Sequence, residues 1–579
     1  MEYLKKAVEE SIRVNLRTNL RESASWNIFV PENEKFGHYS TNVALKLAKE
    51  KSKKPMEVAE DIKDKMLSFD KLRTFGKIEI ASPGFINFWL SEKTLQNELK
   101  EILKKRNTYG KVLSAKRKAS FINVEFISAN PTGPLTIGNG RGGFFGDVLA
   151  NILKFSGHKV IKEYYINDAK NSTQIRELGK TGLGLGETYL TPGLKKIILR
   201  LKGKIKKVTL RPIRQAQGKH TQGASRNLDG EVGYLLAGEI NKQNKKFVEK
   251  VLKIKFDKWF SEESLYKSGA VKKLLNDLKK ENLVYEKDGA LWFKAKQFGD
   301  TEDRVLIRSA RSTSSGQGEP TYILPDLAYH LNKFKIRKFS KAVDVWGADH
   351  HGYIPRLKAG LKALGISEGR LRIIITQLVR LVKNGQEYKM SKRKGDYVAM
   401  EDLIKEVGLD AARFFFLMSA PDTHMNFDLD LAKEKSMKNP VYYAQYAAVR
   451  CNSILQKTKK LTHSINSGLV LREVEGLKNI KTKSKANLDL LNTKEDLNLM
   501  RILVRFPEIV EEATENYNPQ VLVRYSIDLA RQFHNFYEKE RIIGVELDLM
   551  LARLEIIKAA KTIFETLFKL LGISYPKKM

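Results

Sequence analysis

Residues 128–141 carry the strongest chemical pattern in the sequence, Ser-Ala-Asn-Pro-Thr-Gly-Pro-Leu-Thr-Ile-Gly-Asn-Gly-Arg. The segment follows a predicted strand and precedes a predicted helix. Gly138 and Gly140 would let the backbone approach a ligand closely, and the amino end of a helix favours an anion. The pattern predicts a phosphate site, although a glycine-rich turn that caps an ordinary helix can have the same composition.

A second segment, Lys389, Met390, Ser391 and Lys392, places cations on a short loop, and two further cations follow it. Several cations on a loop suit a clamp for phosphates, whereas an isolated basic run is usually a solvated turn. Both segments fall at opposite ends of one predicted sheet domain. Their joint presence favours the phosphate interpretation for each.

The elements that must position both segments alternate between strand and helix. Residues 120–127 and 159–166 are predicted strands on either side of a helix at 144–155, which is a βαβ unit. The alternation resumes after residue 300 and indicates a mostly parallel sheet covered on both faces. Further strands are predicted at 304–309, 321–324, 341–346 and 371–381, and further helices at 326–334 and 353–364.

Other regions flank or interrupt this sheet domain. Residues 1–110 predict a first unit with helices at 1–20, 42–50 and 56–67, strands at 77–81 and 85–90, and a Lys-rich linker at 101–118 after them. Residues 170–300 predict a helical, Lys-rich insertion, and the polar stretches 215–226 and 310–318 have no assigned chemistry. Helices predicted at 440–455, 497–516, 520–539 and 547–571 indicate a bundle.

The composition restricts the class of partner. The 579 residues include 104 Lys and Arg against 67 Asp and Glu, a formal net charge of +37. This excess favours a polyanionic partner. The single cysteine, Cys451, excludes an internal disulfide and a cysteine-cluster zinc site, and fits a reducing cytosol. No secretory or membrane-spanning stretch is predicted, so a cytoplasmic protein is expected.

Six blocks occur in the order in which one family carries them, so the chain resembles the arginyl-tRNA synthetases, a class I aminoacyl-tRNA synthetase family. The blocks are residues 124–134, 164–168, 321–326, 346–352, 407–416 and 427–431. The resemblance implies an α/β fold with a Rossmann-type parallel-sheet catalytic domain, an N-terminal α+β domain and a C-terminal all-α bundle. The implied domains are 1–110, which contacts the D-loop corner of tRNA, 119–400 with the insertion, and 401–579, which binds the anticodon.

The chain departs from this family at its signature, because Thr136 and Asn139 stand where two histidines are usual. Thr and Asn side chains also donate hydrogen bonds, but as neutral groups. An active enzyme is predicted, with more weight on Lys389, Lys392 and Arg141. A catalytically degenerate tRNA-binding paralogue is the alternative, and a class I synthetase for another amino acid is a third hypothesis.

The resemblance assigns the remaining roles residue by residue. Thr136, Asn139, Lys389 and Lys392 are expected to be catalytic. ATP is expected to contact these four and also Gly138, Gly140, Arg141, Asp349, His350, Met390 and Ser391. Arginine is expected to contact Glu125, Ser128, Asn130, Tyr322 and Asp326. From the residues alone, Asp326 is equally a helix N-cap, whereas Glu125 lies inside an apolar strand and needs a partner.

The expected RNA contacts are aromatic and basic residues at both ends of the chain. They are Phe36, Tyr39, Asn42, Phe85, Tyr443, Tyr446, Arg450, Arg524 and Arg531. Aromatic rings near cations suit base stacking, although such rings are often core residues. The expected partners are tRNA(Arg), L-arginine and ATP with Mg²⁺, without a dedicated protein metal site and without a membrane, and a monomer is expected.

Overall fold

A computed structural model of the chain describes residues 28–67, 74–111, 119–216, 228–309, 318–388, 398–466 and 486–579. The predicted helix at 1–20, most of both polar stretches and residues 389–392 lie outside these residues. Contacts divide the chain into two units. One combines Met1–Val112 with Ser436–Met579, and the other is Leu113–Lys435.

The amino-terminal part of the first unit is a small α+β layer. Its strands pair antiparallel in the order β1-β2-β4-β3. Strand β4 is apolar along most of its length, and Ile86 and Phe88 are fully buried. The elements are β1 (Ile28–Phe29), β2 (Tyr39–Thr41), α1 (Val43–Lys51), α2 (Pro55–Leu67), β3 (Phe75–Ala81), β4 (Phe85–Leu90) and α3 (Glu92–Lys105). Helix α3 extends into the predicted linker because Leu99 and Ile102 are buried.

The second unit is built on a five-stranded parallel sheet. The strands of the whole unit, including those outside this sheet, are β5 (Phe121–Glu125), β6 (Lys159–Ile166), β7 (Lys258–Ser261), β8 (Val284–Lys287), β9 (Ala290–Phe293), β10 (Arg304–Ile307), β11 (Lys341–Gly347), β12 (Leu371–Thr376), β13 (Val379–Lys383), β14 (Gln386–Glu387) and β15 (Met425–Asp428). The order β12-β11-β5-β6-β7 forms the parallel sheet. This arrangement confirms the predicted α/β fold with a parallel-sheet core.

Helices cover this sheet and fill the insertion. They are α4 (Ile137–Phe155), α5 (Thr173–Leu183), α6 (Pro192–Ala216), α7 (Leu228–Lys250), α8 (Glu263–Lys267), α9 (Ala270–Lys280), α10 (Ile323–Leu331), α11 (Ile354–Ala363), α12 (Met400–Val407), α13 (Leu409–Met418) and α14 (Leu429–Lys433). A π-helical turn, Asn332–Ile336, follows α10. Among the helices of the described residues, none combines the length and the apolar composition that a membrane span requires.

Several local predictions are wrong. Residues 323–324 begin helix α10 and are not a strand, and residues 371–381 contain two strands that belong to different sheets. Strand β10 pairs with β9 in a separate antiparallel sheet. The insertion is not purely helical, because β7 lies inside it and forms an edge of the parallel sheet.

The carboxyl-terminal helices complete the first unit. They are α15 (Pro440–Asn466), α16 (Lys494–Val504), α17 (Phe506–Glu515), α18 (Gln520–Lys539) and α19 (Leu547–Leu571). Helix α3 packs against α16 and α19. The Tyr39 hydroxyl donates to Glu508 Oε1 over 2.7 Å, and the Tyr109 hydroxyl donates to the Val504 carbonyl over 3.3 Å. The predicted domain boundaries stay predictions, and in this structure α12–α14 group with the sheet unit.

Candidate active site

Helix α4 begins seven residues earlier than predicted, so the carboxyl-terminal part of the glycine-rich segment, from Ile137 onward, belongs to the helix. Thr136 is the N-cap residue. Its Oγ1 accepts from the Asn139 backbone N–H over 3.3 Å, and Asn139 Oδ1 accepts from the Thr136 backbone N–H over 2.9 Å. The two residues therefore form a reciprocal capping box. The Thr136 hydroxyl also lies 3.0 Å from Asn139 Oδ1, which leaves the Asn139 amide NH₂ as the pair's outward donor.

The described chain resumes after residue 397 directly beside this helix end. The Ile137 N–H donates to the Val398 carbonyl over 3.1 Å, and the Met400 N–H donates to the Leu135 carbonyl over 2.8 Å. Gly140 permits this approach, because a Cβ on it would lie 2.2 Å from Met400 Sδ. The carboxyl-terminal flank of the predicted lysine clamp thus meets the amino end of α4, while Lys389, Met390, Ser391 and Lys392 themselves lie outside the described residues.

Arg141 turns away from this helix end. Its guanidinium is buried and donates to the backbone carbonyls of Gln377, Thr423 and Ala420 over 2.7–2.9 Å. Burial lowers the pKa of Arg141 to about 10. The structure therefore ties Arg141 to the loops after β12 and α13 and does not bring it to Thr136 and Asn139.

Three carboxylates lie side by side across the parallel sheet. The register pairs Glu163 on β6 with Glu125 on β5, and Glu125 with Asp344 on β11. All three are buried. Lys333 Nζ donates to Glu125 over 2.6 Å and to Asp344 over 2.8 Å, and Arg337 pairs with Glu163. The π-helical turn after α10 and the residue that follows this turn thus supply the cations that neutralise this row of acids.

His330 completes this network through both of its ring nitrogens. Its Nδ1 lies 2.7 Å from the Asp326 carbonyl, and its Nε2 lies 2.8 Å from Asp344. Burial would raise the pKa of Asp344, but Lys333 and His330 outweigh burial and hold it at about 2. His330 thus links the backbone of α10 to the carboxylate on β11.

Glu125 is already engaged in this network. Burial raises its pKa, with Lys333 opposing the rise. Its Oε1 accepts from the Ser128 hydroxyl over 3.1 Å, and Ser128 Oγ in turn accepts from the Tyr165 N–H. The structure therefore brings Glu125 and Ser128 together, and Asn130 lies exposed two residues further along.

A second acidic group lies around Asp326. The Tyr353 hydroxyl donates to Asp326 Oδ2 over 2.5 Å. Burial raises the pKa of Asp326 despite that bond. Tyr322, by contrast, is exposed and donates to Gln174 on α5 over 2.6 Å. Asp326 is thus half-buried, whereas Tyr322 is exposed.

Sequence reasoning missed Glu262, which follows β7 directly. Its side chain is buried, and burial together with Asp326 and Asp168 raises its pKa to about 8. Asp168, at the end of β6, accepts from the Ser261 hydroxyl over 2.8 Å. Charged residues after a strand end were the signal available, but β7 itself was not predicted. Glu262 and Asp326 form an electronegative position suited to a cation.

Asp349 and His350 follow β11 and are both exposed. They contact each other over 3.4 Å, and the His350 ring lies 5.9 Å from that of Trp346. The site therefore combines the amino end of α4, an acidic position and two exposed groups at the carboxyl ends of parallel strands, where ligands of open α/β sheets bind.

Comparisons with known proteins agree with this arrangement. Family models described as "Arginyl tRNA synthetase N terminal domain", "tRNA synthetases class I (R), catalytic domain" and "DALR anticodon binding domain" match residues 2–90, 231–428 and 444–579. The arginine–tRNA ligase of Listeria monocytogenes is 40% identical over 587 residues, which cover 100% of this chain and 98% of that one. The chain belongs to the arginyl-tRNA synthetase family. It is therefore a class I ligase.

Two further members of the family have the same extent. The arginine–tRNA ligase of Caldanaerobacter subterraneus is 40% identical over 566 residues, with 95% of this chain and 93% of that one covered. The solved structure of Thermus thermophilus arginyl-tRNA synthetase aligns over 100% of both chains with a TM-score of 0.71 at 20% identity. This last likeness confirms the fold.

The residues predicted to contact RNA lie in the first unit and differ in exposure. Phe36 is exposed, Phe85 stacks edge-on against Phe29 over 6.2 Å, and Asn42 is half-buried before α1. Tyr39 is buried, and burial together with Glu508 raises its pKa. Of these four residues, Phe36 alone presents a largely free ring.

The predicted residues of the bundle lie on α15 and α18. Tyr443 and Tyr446 pack on the His534 ring with centroids 4.8 and 5.8 Å away. Arg450 lies over the Tyr446 ring at 5.0 Å. Three of the predicted residues thus form one aromatic and basic patch, whereas Arg524 and Arg531 are exposed on α18, Arg531 with Asp528.

Proposed function

We propose that this chain joins L-arginine to tRNA(Arg) in an ATP-dependent reaction. The observation that carries the proposal is a pair of acids, the buried Glu262 and the half-buried Asp326, at the same edge of the sheet as the amino end of α4. A guanidinium is a permanent, planar cation that carboxylates bind well. An anion is favoured at a helix amino end. One cleft can thereby hold both substrates.

The reaction has two steps. The arginine carboxylate attacks the α-phosphorus of ATP, the bond to the bridging oxygen breaks, and pyrophosphate leaves with arginyl-adenylate as the product. A terminal ribose hydroxyl of tRNA then attacks the arginyl carbonyl, loses its proton and displaces AMP. Positioning and electrostatic stabilisation supply most of the acceleration at a phosphate. Mg²⁺ accompanies ATP as part of the substrate.

Roles at the phosphates follow from the capping box. The Asn139 amide donates to ATP, and Thr136 is a positioning residue that holds Asn139 by its Oδ1. Gly138 and Gly140 allow close approach of the phosphates, and Lys389 and Lys392, with Met390 and Ser391 between them, neutralise the departing pyrophosphate. Arg141 anchors α4 to the neighbouring loops, because its guanidinium donates hydrogen bonds to three backbone carbonyls.

Roles at arginine divide between contact and support. Asp326 and Glu262 bind the guanidinium, and Tyr322 closes the rim. Asn130 binds the α-amino and carboxylate end of the substrate. Glu125 and Ser128 act as support beneath the pocket, because Lys333 already neutralises Glu125. Asp349 and His350 contact the adenosine.

Arginine-dependent exchange of pyrophosphate into ATP, with and without tRNA, tests the proposal. Wild-type protein should exchange with arginine, and Lys392→Ala should lower the exchange rate while leaving arginine affinity unchanged. Asn139→Ala should lower the rate about 10²-fold, whereas Thr136→Ser keeps the cap and should stay near wild type. If no amino acid supports exchange, the result favours the tRNA-binding paralogue. If a different amino acid supports exchange, the result favours a synthetase for that amino acid.

The oligomeric state of the chain, its cellular location and its RNA contacts are part of the same proposal. We propose a monomer that acts in the cytoplasm on tRNA, with Phe36 and the patch of Tyr443, Tyr446 and Arg450 contacting RNA. Light scattering at assay concentration tests the monomer directly, since a mass near 66.1 kDa is expected.

A further inference from the structure

Helix α6 presents an unusually basic surface. Its 25 residues contain no Asp or Glu. Seven cations within residues 195–207 are exposed, namely Lys195, Lys196, Arg200, Lys202, Lys204, Lys206 and Lys207. Within the described residues, only Arg200 of these seven pairs with a carboxylate, donating to Glu239 over 2.5 Å. The side chains of the other six are exposed to solvent.

Six of the seven cations lie in two rows along the exposed face. Lys195, Lys202 and Lys206 follow the helical spacing i, i+7, i+11, and Lys196, Arg200 and Lys207 follow i, i+4, i+11. From residue 195 to residue 207 the helix rises about 18 Å. A nucleic-acid duplex carries one charge per about 1.7 Å of its axis, so this length can face about ten phosphates.

The opposite face of α6 fixes the helix to the protein. Leu194, Ile197, Leu201 and Ile205 are buried against α5 and α7. A basic amphipathic helix that binds a membrane needs its apolar face free to enter the lipid. Here that face is already used, so the charge pattern favours a polyanion in water over a lipid surface.

Helix α6 also lies outside all three segments that the family models match, 2–90, 231–428 and 444–579. We propose that the exposed face of α6 binds the sugar-phosphate backbone of the tRNA substrate. This inference rests on the proposed function, because that function supplies the RNA.

A charge-matched pair of variants tests the inference. In the first, Lys195, Lys196, Lys206 and Lys207 become Gln. In the control, four exposed lysines of α9 become Gln, namely Lys272, Lys273, Lys279 and Lys280. Both variants lower the formal net charge from +37 to +33. Fluorescence anisotropy with labelled tRNA then measures Kd from 50 to 300 mM salt.

The α6 variant should bind tRNA about tenfold or more weakly, and the slope of log Kd against log salt should fall by about 3. The α9 variant should stay within about twofold of wild type. Replacement of the same four α6 lysines by Arg should retain wild-type binding, which separates charge from folding. Equal losses in the α6 and α9 variants would overturn the inference.

Two further readouts separate this inference from the proposed function. If wild-type protein shows no arginine-dependent exchange, the proposed function fails; if it exchanges normally and the α6 variant binds tRNA like wild type, only the α6 inference fails. Sedimentation with vesicles of phosphatidylserine and phosphatidylcholine tests whether the basic face binds an anionic lipid surface instead. Vesicle binding that depends on α6, with unchanged tRNA affinity, would overturn the inference.

Discussion

Glu262 shows how a buried carboxyl group can be tuned for a cation. Its pKa of about 8 arises from burial and from the neighbouring carboxylates of Asp326 and Asp168. The carboxyl group therefore holds a proton at neutral pH until a positive ligand arrives. A bound guanidinium favours the ionised form, so binding releases this proton.

Arginine affinity should consequently rise with pH. Below pH 8 the arginine KM of wild-type protein should fall by up to about tenfold per pH unit, because each unit increases the ionised fraction of Glu262 about tenfold. Glu262→Gln should raise KM and flatten this profile between pH 6 and 8. Steady-state exchange kinetics measure it. Glu281→Gln, on an exposed residue, should keep the wild-type profile; an identical profile in Glu262→Gln would contradict the assignment.

Lys333 stabilises the fold, because its ammonium group neutralises two buried acids, Glu125 and Asp344. Lys333→Met should destabilise β5 and β11 by roughly 3–5 kcal/mol, since it leaves Glu125 and Asp344 without their cation. Hydrogen exchange of amides in these strands measures the loss. Lys335→Met, on an exposed residue of the same turn, should change stability by about 0.5 kcal/mol or less. Similar losses for both would refute the argument.

Neither residue could be found from the sequence, for a physical reason. The Lys333 contacts to Glu125 and Asp344 depend on the sheet register and on a π-helical turn, and neither has a local signal. The apolar strand around Glu125 did indicate that a partner was needed. Thr136, Asn139 and the glycines were identified from the sequence, but their mutual hydrogen bonds required the position of the helix start.

At the scale of elements, α4 shows burial overriding propensity. Its glycines disfavour helix, and for that reason the predicted start was residue 144. The helix nevertheless begins at Ile137, because small residues let it pack closely on its neighbours. A Cβ on Gly146 would lie 2.3 Å from Cγ of Phe126, which is fully buried. Gly203 in α6 has nothing within 4 Å of the same position.

The same substitution should therefore have opposite effects in these two helices. Gly146→Ala should destabilise the second unit by about 1–3 kcal/mol through overpacking against Phe126. Gly203→Ala should stabilise α6 by roughly 0.5–1 kcal/mol through helix propensity. Hydrogen exchange of α4 and α6 measures both. A stabilising Gly146→Ala would show that Phe126 can move aside, contrary to the expectation.

Element prediction succeeded where the pattern was long and periodic. The predicted bounds of β4, β6, α18 and α19 agree with the structure at both ends. It failed for short apolar runs, since 321–324 has the composition of a strand but leads into α10. It also failed for β7, because only four residues between charged neighbours form this edge strand.

At the scale of the whole molecule, the first unit is discontinuous in sequence. Helix α3 packs on the carboxyl-terminal helices, and the hydroxyls of Tyr39 on β2 and of Tyr109 after α3 donate hydrogen bonds to them. The bundle therefore depends on residues that precede the sheet unit. Helix α3 covers part of the surface that α16 and α19 bury.

Removal of residues 1–112 should loosen this bundle. Amides of α16 and α19 should exchange at least about tenfold faster, because their packing partner α3 is lost. Amides of β5 and β11, in the second unit, are the internal control and should keep their protection. Mass spectrometry after hydrogen exchange measures both regions in one sample. Unchanged protection of α16 would show that the carboxyl-terminal helices are stable on their own.

The discontinuity of the first unit also constrains the order of events during synthesis. The residues before Val112 emerge from the ribosome first, but their partners begin only at Ser436, after the 323 residues of the second unit. At a translation rate of about 5–20 residues per second, this interval is on the order of tens of seconds. The nascent amino-terminal segment must stay soluble during that time with its future contact surface uncovered.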